Sequence, residues 1–331
     1  MTVPLLDNGT FFFPGPTEVR AEVLQAMTRP MVAHRGAVFE DLFGRLQVAL
    51  QAIFGTSRPV YISSSSATGL MEAGVRCAPA GRILSIVNGA FSARFAAIVA
   101  ACAREADVLE VPWGDAVDLD RLAEQLKSRR YAAVTVVHSE TSTGALTDVR
   151  AVTRLAHEHG AVCLVDSVTG IGAAELRFDE WEVDYALTGS QKALALPPGL
   201  AFAAASSAFI TSAKQQAGRG LYFDLVEFDA YALKNQTPNT PAIPLFFAAD
   251  VQLPAIAAET MAARWERHAA MAQRTYKWVD HLAARHGDAL RVLALAGHRS
   301  PSVTSIVLPT SVTASVVLRA VNELGFTIGS G

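Results

Sequence analysis

Two short runs decide the fold of this chain: Val162-Cys163-Leu164-Val165-Asp166-Ser167-Val168 and, further along, Tyr185-Ala186-Leu187-Thr188-Gly189-Ser190-Gln191-Lys192. Each run begins with apolar residues and ends with polar ones. This pattern is typical of a strand that is buried on both faces and opens into a site at its carboxyl end. Successive parallel strands end at the same edge of a sheet. We therefore expect Asp166 and Lys192 to lie at one edge.

A carboxylate and an amine at one sheet edge suit pyridoxal phosphate. The lysine amine forms a Schiff base with the cofactor's aldehyde, and the carboxylate keeps the pyridine nitrogen protonated so that the ring accepts electrons. The alternative is an ordinary ion pair between Asp166 and Lys192 at the strand ends.

Composition sets the class of protein. The chain has 331 residues, of which 51% are hydrophobic and 18% charged, and this is enough for a large core and two domains. The net charge of -3 gives no electrostatic case for nucleic acid. No apolar run reaches the roughly 18 residues of a membrane span, and Met1 to Thr10 carries no basic segment typical of a signal peptide.

The three cysteines, Cys77, Cys102 and Cys163, are scattered through apolar runs without CxxC spacing. We predict neither a disulfide framework nor a metal site. Buried free thiols fit a reducing compartment, so we expect a cytoplasmic protein.

Strand and helix patterns alternate through the middle of the chain. Predicted strands cover the two quoted runs and residues 59–63, 82–87, 108–111, 132–137 and 200–206, and predicted helices cover 67–77, 91–103, 119–129 and 149–159. This alternation with apolar strands indicates an α/β fold with a mainly parallel sheet covered on both faces by helices.

The rest of the chain suggests three parts: an arm over 1–16, a large domain over 17–255 and a smaller C-terminal α/β domain over 256–331. The arm contains Phe11-Phe12-Phe13, which we expect to dock on its own chain or on a partner. Helices are predicted over 17–29, 38–54, 256–285 and 312–324, strands over 289–295, 303–308 and 326–328, and irregular structure over 224–250.

Ser63-Ser64-Ser65-Ser66-Ala67-Thr68 follows a predicted strand and opens a predicted helix. Free backbone N–H groups and hydroxyls at a helix N-terminus form an anion site, here for a cofactor phosphate. The alternative is a simple serine N-cap.

Two further segments follow strands. In His138-Ser139-Glu140-Thr141-Ser142-Thr143-Gly144, hydroxyls are placed to reach a ring oxygen with Glu140 orienting them, or the segment only forms a turn. Phe91 follows Asn88-Gly89 and either stacks on a flat ring or belongs to the core.

Taken together, these motifs resemble the class V aminotransferases, which have fold type I among pyridoxal-phosphate enzymes. The similarity is to the alanine–glyoxylate and serine–glyoxylate (serine–pyruvate) aminotransferases. It covers essentially the whole chain and rests on Pro14-Gly15-Pro16-Thr17, His34-Arg35-Gly36, Ser66-Ala67-Thr68, residues 138–144, Asp166-Ser167-Val168, residues 189–194 and Pro197-Pro198-Gly199.

The resemblance implies a role for each matching residue. Lys192 carries the cofactor and moves the substrate's proton, and Asp166 pairs with the pyridine nitrogen. Val168 and Phe91, where relatives often have Trp, flank the ring. The remaining cofactor contacts implied are Thr141 to the ring oxygen and Ser66, Ala67, Thr68 and Gln191 to the phosphate.

Some positions depart from the family pattern. A Tyr and a Thr from the neighbouring subunit complete the phosphate shell in relatives; Thr240 matches the Thr, but Thr237 or a near neighbour stands where the Tyr belongs. Ser65 replaces a frequent Gly, which suggests a slightly different backbone path.

The resemblance also implies an arginine for the substrate carboxylate. In relatives it follows the turn that Gly329-Ser330-Gly331 resembles, and another strand and helix close the small domain. We expect the natural protein to continue beyond Gly331 and to supply that arginine, with Arg35 as the rival candidate.

The sequence therefore predicts a homodimeric aminotransferase that moves an amino group from alanine, serine or a similar amino acid to glyoxylate or pyruvate. Aspartate or 2-aminoethylphosphonate are alternative donors. A cysteine desulfurase or lyase needs a mobile, exposed thiol, and all three cysteines precede Lys192. A non-enzymatic binding or regulatory role has no use for an intact Asp166 and Lys192.

Overall fold

The computed structural model describes residues 10–286 and 290–330. Its strands are β1 (Thr10–Phe12), β2 (Val60–Ser63), β3 (Ile83–Val87), β4 (Ala106–Glu110), β5 (Ala133–Val137), β6 (Ser139–Glu140), β7 (Ala145–Leu146), β8 (Val162–Asp166), β9 (Tyr185–Gly189), β10 (Ala201–Ala205), β11 (Arg291–Val292), β12 (Ile306–Val307) and β13 (Phe326–Ile328). Its helices are α1 (Ala21–Ala26), α2 (Ala37–Phe54), α3 (Ala67–Cys77), α4 (Ala90–Ala101), α5 (Leu119–Ser128), α6 (Val149–Glu158), α7 (Ser207–Ala213), α8 (Leu225–Ala232), α9 (Ile243–Glu259), α10 (Met261–His286) and α11 (Ala314–Glu323).

Seven strands form the central sheet in the order β2-β10-β9-β8-β5-β3-β4. Neighbours from β9 to β4 run parallel, whereas β10 is antiparallel to both β9 and β2. β2 therefore points the same way as the five parallel strands. The prediction of a mainly parallel α/β sheet is confirmed.

The apolar runs build the core because they are buried along their whole length. Every residue of β2, β3, β5, β9 and β10 is buried. Tyr185 at the start of β9 stacks on Phe209 with ring centroids 5.7 Å apart, and its hydroxyl donates to the Leu70 carbonyl at 2.7 Å. Each such large side chain contributes about 1.5–3 kcal/mol through burial, so the sheet is a rigid base for its loops.

Two predictions about the region after residue 224 are wrong. Residues 224–250 are not irregular, since they hold α8 and the first eight residues of α9. The helix predicted over 256–285 is also not continuous. It is broken at Thr260, which has φ +64°, and α9 and α10 meet at 84°. The pattern of apolar residues runs across the break, because both helices bury an apolar face.

None of the helices in residues 10–286 and 290–330 combines the length with the apolar composition that a membrane span requires. α9 and α10 reach the length and apolar composition of such a span only together, as a pair bent by 84°. Eight residues of α9, from Ile243 to Ile256, are buried inside the protein.

The ends of the described chain meet. β1 pairs in parallel with β13, Thr10 opposite Phe326, and Phe12 packs on Phe326 at 5.8 Å between ring centroids. The arm thus docks on its own chain, one of the two outcomes expected for Phe11 to Phe13. Residues 1–9 of the predicted arm, residue 289 of the predicted strand and Gly331 lie outside the described residues.

Elsewhere each predicted helix and strand is found, but three of them are much shorter than predicted. The helix predicted over 17–29 shrinks to α1, and the strands predicted over 289–295 and 303–308 shrink to the two-residue strands β11 and β12. The helix over 312–324 and the strand over 326–328 correspond to α11 and β13.

Candidate active site

The carboxyl ends of several strands converge at one edge of the sheet. Asp166, the last residue of β8, pairs with Val137 of β5 on one side and Leu187 of β9 on the other. Because β2 and β3 point the same way, the segments that follow all these strands lie at this edge. They are residues 64–68, 88–91, 138–144, 166–170 and 190–192. These are the segments that the sequence analysis singled out.

Asp166 is almost completely buried, with 2% of its surface exposed. Burial raises the pKa of Asp166 to about 7, the charge of Glu140 adds to this, and the bond that Oδ1 accepts from the Val168 N–H at 2.8 Å opposes it. Within the described residues Oδ2 accepts no hydrogen bond from the protein. A buried carboxylate with a free oxygen is set to receive a cationic N–H donor.

Lys192 does not form an ion pair with Asp166 within the described residues, so the ordinary ion pair is not what the structure shows. Its Nζ donates to the carbonyl of Pro14 at 2.5 Å. Burial lowers the pKa of Lys192 below the usual lysine value, and the charge of Asp166 opposes this change. A half-buried amine with a lowered pKa is the form of lysine that attacks carbonyl groups.

The arm forms one wall of the lysine site. Gly15 has φ +122°, and a β-carbon there would lie 2.6 Å from Lys192 Cδ and 2.8 Å from Nζ. Thr17 binds two carbonyls of the lysine loop: its N–H donates to the Gln191 carbonyl at 3.0 Å, and its hydroxyl donates to the Lys192 carbonyl at 3.2 Å. Residues 14–17 therefore fit the lysine loop only with glycine at position 15.

The serine turn is an open helix N-terminus. Ser66 is the N-cap of α3, but its side chain makes no capping hydrogen bond, which argues against the simple serine cap. Ser66 and Thr68 are exposed. Ser65 bonds Ser63, with the two hydroxyl oxygens 2.8 Å apart. The first N–H groups of a helix have no partner within the helix, so this turn can bind an anion.

Glu140 holds α4 instead of orienting Thr141. Its carboxylate accepts bonds from the Ser92 N–H and hydroxyl at 2.9 and 3.0 Å and from the Phe91 N–H at 3.3 Å. The Ser142 hydroxyl also donates to it at 2.7 Å. The expectation that Glu140 orients the hydroxyls holds for Ser142 and is wrong for Thr141, because the carboxylate is used to cap α4 and position Phe91.

Thr141 is paired with a threonine on the next loop. Its Oγ1 lies 3.0 Å from Thr169 Oγ1, and Thr169 in turn donates to the Ser139 carbonyl at 2.6 Å. Phe91 is half-buried, with the Arg94 guanidinium 5.2 Å from its ring centroid. Both residues follow strands that end at the same sheet edge as β8.

Val168 and Gln191 are half-buried at the same edge, whereas Thr240 is exposed. The segment carrying Thr240 reaches the serine turn, since the Ala242 N–H donates to Ser64 Oγ at 2.9 Å.

Thr237, which stands where relatives have a Tyr, and Arg35, the rival candidate for the carboxylate-binding arginine, both make contacts elsewhere. Thr237 is buried and donates to the Asn239 carbonyl at 2.8 Å, so its hydroxyl is satisfied within its own turn. Arg35 stacks on Tyr231 at 5.2 Å and donates to the Pro238 carbonyl at 3.3 Å.

Sequence reasoning missed three features of this edge. Tyr222 lines a small cavity together with Ser64 and Thr240. His138 is fully enclosed with Nδ1 2.9 Å from Ser167 Oγ, and burial lowers its pKa to about 4, so it is neutral. Arg264 reaches the lysine loop from α10. Tyr222 had a usable signal, because a tyrosine was sought near Thr240; the other two contacts join residues too distant in sequence to be read from it.

Comparison with known proteins agrees with this geometry. The sequence model of the family "Aminotransferase class-V" matches residues 63–331. A serine–glyoxylate aminotransferase of Arabidopsis thaliana is 31% identical over 97% of this chain and 81% of its own length. An L-aspartate–glyoxylate aminotransferase of Paracoccus denitrificans is 30% identical over 99% of this chain and 84% of its own. The crystal structure of an alanine–glyoxylate aminotransferase from Nostoc sp. superposes with a TM-score of 0.92 at 29% identity, covering 100% of this chain and 88% of that one.

Proposed function

Because the chain belongs to the class V aminotransferases, which have fold type I, we propose that it is a pyridoxal-phosphate-dependent enzyme that transfers an amino group from alanine or serine to glyoxylate or pyruvate. Glyoxylate is common to the names of the three similar proteins, whose named amino acids are serine, aspartate and alanine. Aspartate therefore stays an alternative donor, and 2-aminoethylphosphonate a further one.

The observation that carries the proposal is the arrangement of Asp166 and Lys192. Asp166 ends β8 and Lys192 lies three residues beyond the end of the adjacent parallel strand β9, both side chains are desolvated, and they form no ion pair with each other within the described residues. The free Oδ2 of Asp166 and the uncapped N-terminus of α3 are placed for a cationic ring nitrogen and a phosphate. The residues present thus fit the cofactor.

When bound, the cofactor supplies an aldehyde that bonds to the lysine amine and a ring that takes electrons from the substrate carbon. Lys192 then has two tasks, attachment and proton transfer, and its lowered pKa favours the neutral amine that both need. Asp166 would hold the ring nitrogen, and Phe91 and Val168 would flank the ring.

The remaining cofactor contacts form two groups. Thr141 would bond the ring oxygen, and the phosphate would be held by Ser66, Ala67, Thr68, Gln191 and Thr240, the last from a second subunit. The pairing of Thr141 with Thr169 fixes its position, and the exposure of Thr240 leaves it accessible to a partner.

The cysteines argue against a desulfurase. Burial raises the pKa of Cys77 and of Cys163 to about 12, so neither gives a thiolate at neutral pH. Cys102 is the C-cap of α4, whose N-terminus lies at the site. A helix of this length separates the thiol from the site by roughly 18 Å.

The proposal also includes a homodimer and the division of the chain into an arm, a large domain and a small domain. Large apolar side chains stand exposed: Leu221, next to Tyr222, is 88% exposed, Val48 on α2 is 73% exposed and Met31, which precedes α2, is 66% exposed. A second copy of the chain would cover them. The break at Thr260 supports a division between large and small domains close to the predicted residue 255. A cytoplasmic location stays a prediction.

Borohydride reduction of the purified yellow protein followed by peptide mapping tests the proposal. We expect the cofactor on the peptide that contains Lys192, and loss of label and transamination in Lys192→Ala but not in the control Lys214→Ala. Label on Lys214 or Lys234 would contradict the proposal. Half-reaction spectra with alanine, serine, aspartate and 2-aminoethylphosphonate then identify the donor.

A further inference from the structure

Arg264, in the first turn of α10, is nearly buried although it carries a charge. Its side chain is 9% exposed. Nε donates to the Gly172 carbonyl at 2.7 Å, Nη2 to the Ala193 carbonyl at 2.5 Å and Nη1 to Glu259 at 2.7 Å. A buried guanidinium needs all its donors satisfied, so these acceptors are held in fixed positions around it.

Two of the acceptors belong to the loops that carry the reacting groups. Gly172 lies on the loop after β8, six residues beyond Asp166, and Ala193 is the neighbour of Lys192. The loops also touch directly, since a β-carbon on Gly172 would lie 3.3 Å from that of Ala193. One planar, rigid guanidinium therefore bridges the two loops from behind the site.

Two neighbouring polar side chains do not bridge the loops as Arg264 does. Gln252 of α9 donates to the Leu194 carbonyl at 3.0 Å and so holds only the lysine loop. Arg267, one turn further along α10, binds the same Glu259 carboxylate at 2.5 and 3.0 Å but makes no contact with either loop within the described residues.

We propose that Arg264 is a positioning residue that sets the spacing between Asp166 and Lys192 by tying their two loops to the start of α10. It touches neither reacting group. It also links the site to the helix that leads into residues 290–330, so that a displacement of α10 alters the lysine loop. This proposal rests on the proposed function for its catalytic consequence only.

The first experiment uses Arg264→Met, Arg264→Lys and the control Arg267→Met. A shift of about 1 Å in a reacting group costs roughly 100-fold in rate, so we expect a fall in kcat of this order in Arg264→Met with KM for the amino acid nearly unchanged. Arg264→Lys keeps the charge but cannot bridge both carbonyls, and should fall between. Arg267→Met should retain the wild-type kcat.

The second experiment needs no cofactor. The pH dependence of Lys192 modification by an amine-reactive reagent is followed by mass spectrometry in the cofactor-free variants. Release of the lysine loop exposes Lys192 to water, which favours its charged form. The pH midpoint of Lys192 modification should therefore rise in both Arg264 variants and stay unchanged in Arg267→Met. If the protein fails to bind pyridoxal phosphate, the proposed function fails while this measurement still tests the bridge.

Three results would overturn the inference. The first is a folded Arg264→Met protein with the wild-type kcat and the wild-type pH midpoint of Lys192 modification. The second is a wild-type kcat and midpoint in Arg264→Lys when Arg264→Met does not fold, and the third is a loss of kcat in Arg267→Met equal to that in Arg264→Met. The last would assign the effect to the Glu259 ion pairs instead of the loop bridge.

Discussion

Gly15→Ala tests whether the arm shapes the lysine site. Gly15 stands over Lys192 with φ +122°, and its neighbour Pro14 accepts the bond from Nζ. A methyl group at this position changes no charge and removes no hydrogen-bonding group. Any effect on the lysine therefore arises from contact and from backbone strain.

The structure gives the size of the effect. The added carbon would lie 2.6 Å from Lys192 Cδ, whereas carbon atoms rest at about 3.5–4.0 Å, so the lysine must move by about 1 Å. A displacement of that size costs roughly 100-fold in rate, or about 2.7 kcal/mol. The backbone at positive φ adds about 1–3 kcal/mol of strain to the folded state.

Gly36→Ala separates these two contributions. Gly36 has φ +139° with no atom within 4 Å of the added carbon, so it carries the strain without the contact. We expect both variants to lose stability in urea unfolding, and only Gly15→Ala to lose kcat and borohydride-fixed cofactor. Normal turnover in Gly15→Ala, or an equal loss of turnover in Gly36→Ala, would refute the reasoning.

Three further predictions follow from the charged groups. Burial raises the pKa of Asp166 to about 7, so the affinity for the cofactor, measured by fluorescence titration, should rise as the pH increases through about 7. Asp166→Asn should bind the cofactor without this pH-dependent rise and turn over slowly; the same pH dependence of affinity in the wild type and in Asp166→Asn would contradict the prediction. Glu140→Gln should lower the free energy of unfolding by about 2–3 kcal/mol in urea titrations, because a buried acceptor of charged hydrogen bonds is lost. The hydrogen bond to Asp184 raises the pKa of His157. The stabilisation of the folded state by this pair is complete below the unfolded pKa of about 6.5 and is lost as the pH rises through the folded pKa. His157→Gln should therefore lower the free energy of unfolding more at pH ~6 than at pH ~9 in urea titrations, by under about 1 kcal/mol because the pair is partly exposed.

The sheet was predictable because its strands are continuous apolar runs bounded by polar turns. The apolar parts of the runs that carry Asp166 and Lys192 are β8 and β9, which lie side by side and parallel. The same reasoning failed for α9. Its start follows a stretch rich in Pro, Asn and Thr, and its apolar residues surround the helix instead of forming one stripe. The break at Thr260 was equally hidden, since threonine does not by itself end a helix.

Long-range contacts at the site were beyond the sequence for a different reason. The role of Glu140 depends on Ser92, and that of Arg264 on Gly172 and Ala193. Spacing along the chain indicates which residues share a strand end, but it does not tell which partner a carboxylate or guanidinium selects across the fold. Those choices are set by packing.

The pairing of β1 with β13 has a consequence for how the protein is made. Thr10 leaves the ribosome early, whereas its partner Phe326 is among the last described residues to be synthesised. At about 5–20 residues per second, the first strand waits roughly 15 seconds to one minute for its neighbour. The arm that carries Gly15 to Lys192 therefore lacks this anchor throughout elongation. Its contacts with the lysine loop through Pro14 and Thr17 can form once Lys192 has been made, but the pairing with β13 that anchors the arm forms only after synthesis has passed Ile328.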